Sequence, residues 1–177
     1  VSTQQPEAVL VDTDVFSYLM NGGNYAKLYA PHVEGKLIAL SFVTVGELYF
    51  GAKRRDWGKE RIESLRDRLR STTIVPYDYN LCETYGELKA KCEKIGKGIS
   101  PNDLWIATCA VRHSLPLVSN NFKHFNGIPG LILRSESQAM QEIQSQMKIE
   151  IATSGVTDST SSEQQRPSSQ SSSAVAE

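Results

Sequence analysis

The sequence is short of several things that would assign a protein class at once. Its 177 residues contain no apolar run near the ~20 needed for a membrane span. Val1 to Glu7 is polar, with neither the basic nor the apolar region of a signal peptide. There are three cysteines, Cys82, Cys92 and Cys109, and no CxxC pair. That excludes a disulfide framework and a cysteine zinc site, and leaves all three thiols expected as core residues on helical faces. The three histidines, His32, His113 and His124, have no metal-ligand spacing, and His32 and His113 are expected at the surface or at helix ends. No Gly-rich phosphate loop is present, which disfavours nucleoside triphosphate chemistry. Charge of one sign is also lacking: 19 Lys+Arg face 20 Asp+Glu, a formal net charge of −1. Any contact with nucleic acid therefore needs a local basic patch or a metal rather than a global field. These absences point to a soluble, cytoplasmic domain.

Hydrophobic residues make up 40% of the chain, enough for one core. From Ala152 to Glu177 there is no Leu, Ile, Phe, Tyr or Trp. Such a stretch cannot offset its ordering entropy and is expected to be a disordered Ser/Gln-rich tail over 152–177. Before it, Met140, Ile143, Met147 and Ile151 recur at spacings of three and four, predicting an amphipathic helix over 135–151. The main domain is expected over 1–134.

Within that domain short apolar strands alternate with helical stretches. Strands are predicted at Ala8–Val11, Lys36–Leu40, Thr72–Val75 and Leu115–Val118, with a fifth at Leu131–Leu133. Helices are predicted at Val15–Met20, Tyr25–Val33, Ser41 through Arg54, Lys59–Arg70, Leu81–Ile95 and Ser100 to about His113. The Asn21-Gly22-Gly23 breaker separates the first two, and Ser100-Pro101 opens the last. Strands separated by helices imply parallel pairing with helices on both faces: a three-layer α/β/α domain with a mostly parallel sheet of four to five strands.

Open parallel sheets place their sites at the carboxyl ends of the strands. Asp12 follows the first strand. Glu47 lies in the second turn of the helix after the second. Asp103 lies in the first turn of the helix leading into the fourth, and Asn121 just beyond that strand. Topology alone thus brings three carboxylates and an amide to one edge. Carboxylates that close raise one another's pKa unless a cation joins them, and an all-oxygen set suits Mg²⁺ or Mn²⁺. Such a site suits phosphodiester hydrolysis. Each residue also has a plainer role: Asp12 and Asp103 as helix-end acids, Asp14 as a first-turn acid with a ligand role open, Glu47 as a solvated helix residue. Lys53 to Arg70 holds eight positive and four negative side chains, with Trp57 among them. Arg54 and Arg55 end the helix that carries Glu47 and are placed to meet a phosphate; Trp57 or Tyr49 is placed to stack on a base.

These residues carry a resemblance. Val11-Asp12-Thr13-Asp14-Val15-Phe16, Val43-Thr44-Val45-Gly46-Glu47-Leu48-Tyr49-Phe50-Gly51-Ala52, Ile99-Ser100-Pro101-Asn102-Asp103-Leu104 and Leu117-Val118-Ser119-Asn120-Asn121, in that order, resemble the four motifs of PIN domains. The spacing resembles VapC-type toxins of bacterial toxin–antitoxin pairs, over Val9 to Arg134. The resemblance implies a Mg²⁺- or Mn²⁺-dependent endoribonuclease, a homodimer, and inhibition by a cognate antitoxin. Asp12, Glu47 and Asp103 match the acidic triad, and Thr13 and Ser119 match the hydroxyls that support it. Asn121 and His124 stand where members often carry acids. Two other readings stay open: a phosphatase of haloacid dehalogenase type, from Asp12-x-Asp14, and a PIN-like module that only binds RNA or a partner.

Overall fold

The computed structural model describes residues 7–136. The tail expected over 152–177 and positions 137–151 of the expected amphipathic helix lie outside the described residues; Ser135 and Glu136 follow the last strand in non-helical backbone.

Five strands form one sheet: β1 (Ala8–Val11), β2 (Leu37–Ser41), β3 (Thr73–Val75), β4 (Leu117–Val118) and β5 (Leu133–Arg134). Their order is β3-β2-β1-β4-β5 and every pairing is parallel. Each of the first three crossovers holds two helices: α1 (Thr13–Asn21) with α2 (Asn24–Val33), α3 (Phe42–Arg54) with α4 (Lys59–Arg70), and α5 (Tyr79–Lys94) with α6 (Pro101–Arg112). A single turn, α7 (Phe122–Phe125), joins β4 to β5.

The strands are apolar on both faces because helices cover both. Val9, Val11, Leu40 and Val118 face a core built with Val15, Phe16 and Tyr29 from α1 and α2, Leu48 and Ala52 from α3, and Leu65 and Leu69 from α4. The alternate residues Leu10, Ala39 and Leu117 face the opposite core, built with Leu81, Leu88 and Cys92 of α5 and Leu104, Ile106 and Ala107 of α6. The period of two along each strand thus divides the molecule into three layers.

Boundaries shift for local reasons. Ser41 is both the last residue of β2 and the N-cap of α3, its Oγ accepting from Thr44 N at 2.9 Å. The strand predicted from Leu115 begins at Leu117, because Leu115 N still donates to Ala110 O at 2.9 Å and closes α6. The strand predicted from Leu131 begins at Leu133, because Leu131 N donates back to Ile128 O at 3.2 Å in a turn where Gly130 has φ 77°. Gly22 and Gly23, at φ 73° and 89°, separate α1 from α2 as the breaker predicts. Cys92 and Cys109 are buried, but Cys82 is exposed: Leu81 takes the inward position of α5 and turns its neighbour to solvent. His113 caps α6 at the surface, and His32, in the last turn of α2, meets Glu136 at 2.7 Å.

Candidate active site

Connections leave β1 in both directions, β2 on one side and β4 on the other, so the sheet has its switch point between β1 and β4. A cleft of ≈ 730 Å³ opens there, lined by Asp12, Thr13, Asp14, Glu47, Asp103 and Asn121, with Arg54 and Arg55 on its wall. Of the residues singled out from the sequence, Ser119 stands behind Asp12, and Tyr49 and His124 are not among those lining the cleft.

Asp12 is the N-cap of α1. Its Oδ1 accepts from Thr13 N at 2.7 Å and its Oδ2 from Ser119 Oγ at 2.7 Å. Both bonds favour the carboxylate, yet burial and the charge of Asp14 outweigh them and push its pKa up to about 7. Asp14, in the first turn of α1, is also raised by burial, although Val15 N donates to its Oδ1 at 2.6 Å. Glu47 is held at both oxygens, by Thr13 Oγ1 at 2.5 Å and by Asn102 Nδ2 at 2.7 Å. Asp103 sits at the start of α6, where Ser100 Oγ donates to its Oδ2 at 2.8 Å and His124 Nδ1 lies 3.0 Å from the same oxygen. Asn121 donates its backbone N–H to Ser119 Oγ at 2.9 Å, and its side-chain amide lies 2.8 Å from His124 Nδ1.

The role of Asn102 escaped the sequence reading, which named His124 without a partner and left the ligand role of Asp14 open. Asn102 is the neighbour of Asp103 in the third motif, and nothing in its spacing marks it as the partner of Glu47. His124 lies one helical turn beyond Asn121, so its approach to Asp103 follows only once α7 is known. Asp14 shares the cleft because Asp12 caps the helix and α1 starts one residue later, which sets both acids at one helix end. Of the aromatic residues, the face of Trp57 is taken by the Arg61 guanidinium at 3.9 Å, and Tyr49 packs into the core. The exposed ring in the cleft is Phe50, 64% exposed, with Arg54 5.7 Å from its centre.

Among the described residues no three His, Cys, Asp or Glu side chains converge into a ready-made metal cage. Asp12 and Glu47 each spend both oxygens on protein donors. The donor set nevertheless fits a hard cation. It is all oxygen, it holds a carboxylate raised by burial and by a like-charged neighbour, and Mg²⁺ typically uses only one or two carboxylates with water completing its shell.

Comparison with known proteins identifies the family. The PIN domain family matches residues 9–130. The chain belongs to the PIN domain family. It is 31% identical over 128 residues to Ribonuclease VapC2 of Haemophilus influenzae, covering 72% of this chain and 96% of that one. It is 30% identical over 133 residues to Ribonuclease VapC2 of Rickettsia felis, covering 71% and 96%. The solved VapBC2 structure from Rickettsia felis, bound to a DNA fragment from their promoter, superposes with a TM-score of 0.64 at 28% identity, covering 72% of this chain and 98% of that one. The fold is that of the PIN family, and the phosphatase reading of Asp12-x-Asp14 lapses with it.

Proposed function

We propose that this chain is a divalent-metal-dependent endoribonuclease of the VapC type, the toxin of a toxin–antitoxin pair. The observation that carries the metal is Asp12: a carboxylate at 6% exposure, raised to about 7, in a cleft that Asp14, Glu47 and Asp103 also face. The relatives named ribonuclease, together with the exposed Arg54 and Arg55 beside those acids, support RNA as the substrate.

Asp12, Glu47 and Asp103 would hold Mg²⁺ or Mn²⁺, with the Asn121 carbonyl oxygen available at the fourth position. A cation held by these residues would supply charge neutralisation at the scissile phosphate and activation of the attacking water. The chain supplies the rest. Ser119 fixes Asp12, and Thr13 and Asn102 fix Glu47 from two sides, so both carboxylates are oriented before RNA arrives. Ser100 and His124 do the same for Asp103. Arg54 and Arg55 meet the phosphates that flank the cut. The protein works as a homodimer in the cytoplasm. Its antitoxin sets an arginine against Asp12, Glu47 and Asp103, so antitoxin and Mg²⁺ oppose each other in titration.

Incubation of the purified protein with total RNA tests this reading. Cleavage is expected with Mg²⁺ and none in excess EDTA. Attack by water leaves a 5′-phosphate and a 3′-hydroxyl, whereas attack by the RNA 2′-hydroxyl leaves a cyclic phosphate. Cleavage that persists in EDTA, or cyclic-phosphate ends, contradicts the proposal.

A further inference from the structure

Arg61 differs from Arg66 and Arg70 of α4. Arg66 and Arg70 pair with Glu63 and Asp67 one turn back on the same helix, and both face solvent. Arg61 forms no ion pair among the described residues. Its guanidinium lies 3.9 Å from the centre of the Trp57 ring, and one of its terminal nitrogens donates to Asn21 Oδ1 at 3.0 Å. It is exposed, and it lines the same cleft as Asp12 and Glu47.

The chain holds Trp57 in place for this contact. After α3, Asp56 N donates to Lys53 O and Trp57 N to Ala52 O, both at 3.0 Å, with Asp56 in the left-handed region at φ 51°. This double hydrogen bond turns the chain sharply, and the half-buried indole packs against the core cluster that includes Leu65 and Ala52. Asn21, the last residue of α1, holds the guanidinium through its side-chain carbonyl.

We propose that Arg61 is a positioning residue for the RNA strand: it binds a backbone phosphate and sets the strand along the cleft toward the acids. A long cationic side chain usually loses rotamer freedom when it binds; here stacking and the Asn21 bond have already restricted it. The guanidinium keeps its full charge, and no carboxylate competes for it. One Nη2 hydrogen goes to Asn21, the remaining N–H groups of the fork can meet an anion, and phosphate oxygens match that fork. Phosphate contact carries no base information, so the role is one of register rather than sequence choice. The assignment rests on the ribonuclease reading above.

The test is the salt dependence of binding. A short fluorescent single-stranded RNA is titrated with the full chain in EDTA at several NaCl concentrations, the RNA being checked for integrity afterwards. For single strands each phosphate contact contributes about 0.7 to the slope of log K against log salt. Arg61→Gln is expected to flatten the slope by about that amount and to weaken binding about tenfold at low salt. In Mg²⁺, KM should rise while kcat stays within about twofold, because the contact is made equally in ground and transition states. Arg61→Lys keeps the charge and should restore the slope, while losing part of the affinity that the planar stack provides. A purely structural Arg61 would lower the melting temperature in both variants and leave the slope alone. If the parent chain binds RNA and Arg61→Gln leaves its slope and affinity unchanged, the Arg61 assignment is wrong and the ribonuclease reading stands. If the parent chain binds no RNA, both fall.

Discussion

Asp12 caps α1 through Thr13 N, accepts from Ser119, and faces a cleft with Asp14 beside it. As a cap it can be a neutral amide; as a cation ligand it must be charged. The two roles separate in Asp12→Asn. The amide oxygen still accepts from Thr13 N, the amide nitrogen donates to the Ser119 hydroxyl, and the buried charge is gone. Metal-free Asp12→Asn is expected to be about 1–2 kcal/mol more stable than the parent at pH 7 and to cleave RNA at least about 100-fold more slowly. The pH dependence carries the same signature. The folded state holds the Asp12 proton up to about pH 7, against an ordinary value of 3.8. This contribution to stability is therefore full below pH 3.8 and is lost as pH rises through 7. In EDTA, thermal melts of the parent should show stability falling between about pH 5 and pH 7, and the substitution should flatten that part of the profile. Identical profiles for the two proteins would mean that Asp12 titrates as an ordinary surface acid.

At the scale of elements, two helix caps look alike in sequence and differ in consequence. Ser100 caps α6 by accepting from Asp103 N, and it also donates to the Asp103 carboxylate. Asp78 caps α5 by accepting from Leu81 N at 2.6 Å, and it is not among the residues lining the cleft. Ser100→Ala and Asp78→Ala should each cost about 1 kcal/mol. Only Ser100→Ala should also slow cleavage, by about tenfold, because Asp103 loses one of its two orienting partners. Equal activity in the two variants would show that the orientation of Asp103 does not depend on its cap. The strand cores, the helix caps and the breaker at Gly22-Gly23 were legible because each is written in local chemistry: apolar runs, a hydroxyl before a helix, glycines where φ is positive. The approach of Asp12, Glu47 and Asp103 to one edge was legible from strand ends and helix starts. The pairing of Asn102 with Glu47 and of His124 with Asp103 was not, because it depends on rotamers across a gap of 55 and 21 residues. Cys82 failed for a similar reason. It neighbours a core residue, and only the packed angle of α5 decides which of Leu81 and Cys82 turns inward.

At the scale of the whole molecule, the parallel sheet does what no single motif can. The order β3-β2-β1-β4-β5 opens a crevice between β1 and β4, and three helix starts deliver Asp12, Asp103 and, one turn further in, Glu47 to it. The domain thus concentrates negative charge at one sheet edge, and the exposed arginines Arg54, Arg55 and Arg61 line the same cleft. A cation bound there would offset the desolvation and the like-charge repulsion that raise Asp12, which would link binding to stability. The most direct measurement is Mn²⁺ binding to the full chain by titration calorimetry without RNA, in the parent and in Asp12→Asn, Glu47→Gln and Asp103→Asn. The account predicts one site in the parent, with Asn121 in place of a fourth acid, weakened at least about tenfold by each substitution in proteins that remain folded. Parent-like Mn²⁺ binding in all three variants, or no binding by the folded parent, would contradict it.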